Sequence, residues 1–167
     1  MEYLSVENQK ALAQRYKTAV IIVMAFAITV LVYMLIAKIL TPNEIMPGSE
    51  GWQQPVYSAA IVLGLVVVIL RRFLLSNMMI RSAIQRGVQA TLQHLFMVTI
   101  VICALAEIAA IGGLMLYLLT GDYQYSWRLG VVSLFLFAYN FPRRSEWERA
   151  VAHSVNLQSS AAAQIVR

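Results

Sequence analysis

The sequence predicts an all-α membrane protein, a bundle of four transmembrane helices with short amphipathic surface helices. Three observations predict it. Apolar residues make up 60% of the 167 and charged residues only 13%, roughly half the charged share of a soluble domain. The apolar residues gather into four runs with short polar or proline- and glycine-bearing stretches between them. Finally, 11 of the 13 lysines and arginines fall on one side of those runs. A chain of this length holds one integral domain, residues 1–167, with little left to form a separate catalytic module.

Residues 1–17 are polar with a sparse apolar stripe of Leu4, Leu12 and Tyr16. That spacing suits a helix lying at the interface or leading straight into the first span. The polar start and the long apolar run after it, with no small-residue cleavage site, differ from a secretory signal, so the first span is expected to stay. Residues 18–40 form that span, with the late Lys38 able to snorkel to the surface. Residues 41–55 are a loop, broken by Pro42, Pro47, Gly48, Gly51 and Pro55. Trp52 and Tyr57 flank it as interfacial aromatics.

The second span, residues 56–75, has a short apolar core that runs on through Arg71 and Arg72. In the mixed segment 76–94, Ile80, Ile84, Val88 and Leu92 recur every four residues, which predicts a helix at the membrane surface, either separate or continuous with its neighbours. Residues 95–119 are the third span, about 37 Å long at ~1.5 Å per residue, enough to cross a bilayer with some tilt. Gly121 and Asp122 mark a turn. The fourth span, residues 127–141, is short and stops at Pro142. In the tail, 142–167, Ser145 with Glu148 three residues on matches a capping box. Trp147, Val151 and Val155 then give that helix one face for lipid or a partner.

The basic residues set the orientation. Lys10, Arg15 and Lys17 precede span one; Arg71, Arg72, Arg81 and Arg86 lie between spans two and three; Arg143, Arg144, Arg149 and Arg167 follow span four. Only Lys38 and Arg128 fall on the other side. The positive-inside rule therefore places both termini in the cytoplasm, with the protein multi-pass in a bacterial-type cytoplasmic (inner) membrane. At these positions the bases serve topology and anionic head groups, and no nucleic-acid motif accompanies them.

Glu107 lies at the midpoint of the third span. A carboxyl at bilayer depth costs on the order of 3 kcal/mol or more, and such residues bind protons, ions or ligand groups, or tie helices together. In its neutral form it donates one hydrogen bond and accepts others. Depth matching of the four spans puts Thr29, Gly64 and Ser133 near its level. Thr29 and Ser133 are the expected hydrogen-bonding partners, and Gly64 the place for a close helix approach. Around Glu107, the small residues Ala106, Ala109, Ala110 and Gly113 recur four apart, a spacing that lets helix backbones touch. They suit packing within the chain or against another subunit.

The stretch Ala104-Leu105-Ala106-Glu107-Ile108-Ala109-Ala110-Ile111-Gly112-Gly113-Leu114 resembles the carboxylate-bearing helix of the proteolipid (ring) subunits of rotary ATP synthases. Glu107, Gly113 and Leu114 have the matching spacing, and the likeness covers residues 104–118. The resemblance implies a carboxyl that loads and unloads a proton or sodium ion within an oligomeric ring.

Lys38, His94, Tyr139 and Asn140 are lesser candidates. Lys38 and His94 belong to opposite faces of the membrane, where each reads as an anchor; His94 is also placed to relay a proton at the mouth of span three. Asn140 precedes Phe141-Pro142 in a helix stop. The lone Cys103 allows no intrachain disulfide and reads as a small packing residue. Nucleophile elbow, phosphate loop, dinucleotide fingerprint and paired metal-ligand histidines are all missing from the sequence, so neither a cofactor nor a metal is expected. The function expected is that of a small non-catalytic integral subunit that assembles with or stabilises a larger membrane complex. The alternative is a proton- or cation-binding translocation component using Glu107. The expected partners are membrane lipids together with other membrane subunits or further copies of this chain.

Overall fold

The computed structural model describes residues 6–40, 51, 53–74 and 82–165. They form five helices: α1 Val6–Ile39, α2 Gln53–Leu74, α3 Val88–Thr120, α4 Tyr123–Tyr139 and α5 Arg144–Ile165. No strand occurs among the described residues. Most of the expected loop, with Trp52, and the start of the expected surface helix, with Ile80, lie outside them, as does Leu4.

α1, α2 and α3 are each long and apolar enough to cross a membrane. α4 has 17 residues, about 25 Å at ~1.5 Å per residue, against roughly 30 Å of hydrocarbon. The structure thus gives three membrane-length helices and one shorter one where four spans were expected.

Two helices run further than their apolar stretches. α1 absorbs the polar segment before span one into a single helix of 34 residues, since no glycine or proline interrupts residues 6–39. α3 extends toward the N-terminus to Val88. Its start is set by Gly87, whose φ of 105° lies in the region that favours glycine. The periodic run through Ile84, Val88 and Leu92 is therefore broken at Gly87, and its second part is continuous with the third span. A helical turn at 82–85 ends before Gly87, and Val88 and Leu92 belong to α3.

α3 is the central helix and packs against all four others. It turns into α4 through Gly121, in the left-handed conformation with φ 73°, whose N–H donates to the Tyr117 carbonyl at 2.8 Å. Asp122 caps α4 by accepting from the Gln124 N–H at 2.9 Å. α3 and α4 lie antiparallel, like α1 and α2. The main core cluster joins Val23, Val30 and Met34 of α1, Val67 of α2, Ile102, Cys103, Ala106 and Ala110 of α3, and Leu136 and Phe137 of α4.

Much of the outer surface along α1 and α2 is apolar. Ile21, Met24, Ile28, Leu31 and Leu35 of α1 are more than half exposed. α2 buries only Ala60 and Val67 among its described side chains while Ile61, Leu65, Ile69 and Phe73 face outward. Helices apolar all round suit a membrane interior.

At the basic end, α5 packs across the extensions of α1 and α3. Trp147 and Val151 are buried with Leu12, Ala19, Leu92 and Leu95, and Tyr16 meets the Trp147 ring edge-on at 5.8 Å. The expected capping box does not form. α5 begins at Arg144, so Ser145 is already inside the helix, and Glu148 pairs instead with the Arg144 guanidinium at 2.8 Å.

Candidate functional site

Glu107 projects from the middle of α3 toward α1. There the Tyr33 hydroxyl donates to its Oε1 at 3.1 Å, and both side chains are half-buried. α1 places Tyr33 at this level because its buried stripe of Val23, Val30, Met34 and Ala37 fixes its rotation against α3. The bond crosses between two helices whose facing side chains at this level are mainly apolar.

The partners expected from depth matching are bonded elsewhere. Thr29 donates to the Ala25 carbonyl of its own helix at 3.0 Å. Ser133 is fully buried and donates at 2.7 Å to the backbone carbonyl of Ala106, one residue from Glu107 but not to its carboxyl. Ser133 thus links α4 to α3 in the same layer in which Tyr33 links α1 to α3. Among the described residues the ion pairs are Arg71–Glu146 and Arg144–Glu148, both at the basic end. Among the described residues no group of three or more His, Cys, Asp and Glu is arranged to hold a metal.

The small-residue face divides sharply. Ala106, Ala109, Ala110 and Gly113 are buried. A Cβ at Gly113 would lie 2.8 Å from Leu129 Cβ, 3.1 Å from the Tyr125 carbonyl and 3.3 Å from Ser126 Cα, so α4 touches α3 there. A Cβ at Gly64 would meet only Leu136, at an ordinary 3.9 Å. The close approach expected at Gly64 is therefore made at Gly113, and another occurs at Gly130, where Met34 lies against the backbone of α4.

The lesser candidates sit at the ends of the bundle. His94 Nε2 bonds the Leu74 carbonyl at 3.2 Å. A carbonyl only accepts, so Nε2 carries the hydrogen, and His94 ties α3 to the backbone of α2. The Arg71 side chain, 15% exposed, donates to the Tyr139 carbonyl, lies over the Tyr139 ring at 5.5 Å and approaches Glu146 at 3.8 Å. It holds α2, α4 and α5 together. Asn140 is buried, and its Nδ2 donates to the Leu136 carbonyl at 2.7 Å. Lys38 is exposed at the opposite end.

Sequence reasoning missed Tyr33, Arg71 and Gly130. For Tyr33 the signal was present: it stands well inside the first span, away from the interfacial belts where tyrosine is usual. Comparisons with protein-family models, curated proteins and solved structures find no match to this chain.

The site joins a carboxyl to a phenol between two helices, with a serine–carbonyl bond beside it. Such an arrangement can fix helix rotation and register.

Proposed function

We propose that this protein is a small, non-catalytic integral membrane subunit that assembles with, and stabilises, a larger membrane complex. In this reading it crosses a bacterial-type cytoplasmic membrane four times and keeps both termini in the cytoplasm. The observation that carries the reading is the way Glu107 is used: its carboxyl turns inward onto Tyr33 as a tie between helices, while α1, α2 and α3 present broad apolar faces outward. A polar interior spent on cohesion and an apolar exterior open to lipid or protein suit a scaffold rather than a catalyst.

What supports a fourth crossing is the pairing of α4 along the central part of α3, from Gly113 beside Ser126 to Ala106 beside Ser133. What supports the orientation is that Arg15, Arg71, Arg86, Arg143 and Arg149 share the end where α5 packs, and basic residues favour the cytoplasmic side.

A second reading, proton or cation translocation through Glu107, is favoured by one observation: the carboxyl is half-buried rather than sealed. Gentle detergent extraction of tagged protein, followed by native mass measurement, tests both. A complex of unlike subunits whose assembly and activity survive Glu107→Gln is the expected result. A ring of identical copies, modified at Glu107 by a hydrophobic carbodiimide and losing ion flux on Glu107→Gln, would replace the first reading with the second.

A further inference from the structure

One face of the chain changes character in a regular way along α3. Arg86 stands just before the helix; Gln93 follows on the same face, and Met97, Val101, Ile108, Ile111, Met115 and Leu118 continue it, with the exposed Ala104 filling the seven-residue step between Val101 and Ile108. The six larger apolar side chains are at least 39% exposed, so they form an uninterrupted apolar ridge on the outside of the bundle. Where the ridge begins, a concavity of about 310 Å³ opens between the 82–85 turn and the first turns of α3. Ser82, Arg86, Gln93 and His94 supply its polar lining, Met97 its lower edge, and Ala83 and Ala90 a floor with no bulk to fill it.

The basic groups near this end differ in what they already do. Arg71 is bound to Tyr139 and Glu146, Arg144 to Glu148, and Arg15 lies over the Phe96 ring at 5.8 Å. Arg86 makes no ion pair among the described residues and is exposed at the concavity. An uncommitted guanidinium carries five donors in a planar fork that matches phosphate oxygens. Hydroxyl and amide groups beside it can add further hydrogen bonds.

We propose that this concavity seats the phosphate of an anionic glycerophospholipid, whose acyl chains lie along the ridge from Met97 toward Leu118. The inference rests on the membrane orientation proposed above, which sets the concavity at head-group level and the ridge in hydrocarbon. The charge of Arg86 selects an anionic head group over a zwitterionic one, and the ridge selects a lipid over a soluble phosphate.

The test is native mass spectrometry of the detergent-purified protein with added phosphatidylglycerol or phosphatidylcholine of matched chain length. The wild-type protein retains phosphatidylglycerol in preference. Arg86→Gln lowers that retention about fivefold, the effect of one basic group at a charged head-group layer, and removes most of the preference. Arg72→Gln, which alters an exposed arginine of α2 outside the concavity, leaves retention unchanged. An unchanged Arg86→Gln protein overturns the proposal, and so does an equal loss in Arg72→Gln, which would mark diffuse surface charge. Displacement of the lipid by millimolar glycerol phosphate overturns the lipid assignment in favour of a free phosphate. An alkaline wash of membranes separates the two levels of failure. Release of the protein overturns both the membrane reading and the lipid site; retention without lipid preference overturns the site alone.

Discussion

Replacing Gly113 with alanine tests the tightest contact in the bundle, and its neighbour Gly112 provides the control. Both are interior positions of α3, so either substitution brings the same helix-propensity gain of about 1 kcal/mol. Their surroundings differ. At Gly112 a new Cβ meets only Val56 Cγ1 at 3.7 Å, an ordinary contact. At Gly113 it meets Leu129 Cβ at 2.8 Å and the backbone of Tyr125 and Ser126. None of those atoms can swing aside, so α4 must withdraw by about 0.6 Å to bring the closest pair to 3.4 Å. Overpacking of this kind costs about 1–3 kcal/mol. The Gly113→Ala protein is therefore expected to be about 1–3 kcal/mol less stable than Gly112→Ala, and Gly112→Ala at least as stable as wild type. Reversible unfolding by titration of a harsh detergent into mild micelles, followed by circular dichroism, measures the difference. Equal stability of the two variants would refute the argument, because it would mean that α4 does not rest on α3 at Gly113.

Three further outcomes follow from the same contacts. A double-mutant cycle of Tyr33→Phe and Glu107→Met, each of which removes the bond, should give a coupling of about 0.6 kcal/mol and no more than about 1.7 kcal/mol, the range for hydrogen bonds between membrane helices; additive unfolding energies would show that the two side chains do not interact. Ser133→Ala should cost about 1 kcal/mol or less, since it removes one bond to the Ala106 carbonyl and little volume; a loss of several kcal/mol in the unfolding titration would contradict this. Trp147→Ala should cost about 3–5 kcal/mol locally and free α5, seen as faster tryptic cleavage after Arg149 with the helix signal of the spans intact. Unchanged cleavage would mean that Trp147 does not hold α5 in place.

The sequence announces where the long helices are, because apolar runs of this length have few other uses. It does less well on where they end. The polar start of α1 looks separable, yet nothing between residues 6 and 39 can break a helix, and packing of Leu12 against Leu92 and Trp147 keeps it helical. The break that does occur, at Gly87, sits inside a periodic apolar pattern that masks it. Glu107 is conspicuous from composition alone, but its partner is not. Depth along the bilayer selects Thr29, whose short hydroxyl reaches only its own helix; one turn further on, the longer Tyr33 side chain crosses to α3. Small residues are similarly ambiguous. Gly64 and Gly113 both invite a neighbour, and only the rotation of α4 decides that the neighbour comes to Gly113.

The length of α1 and α3 has a mechanical consequence. Helices of 34 and 33 residues are about 50 Å long, roughly 20 Å more than a hydrocarbon layer of about 30 Å requires of an upright helix. No joint interrupts α1. Trp147 and Val151 of α5 are wedged against the basic ends of both, so α5 grips the handles of two stiff levers. A shift of Trp147 and Val151 would therefore bear on both rods together, on the same side of the Tyr33–Glu107 layer.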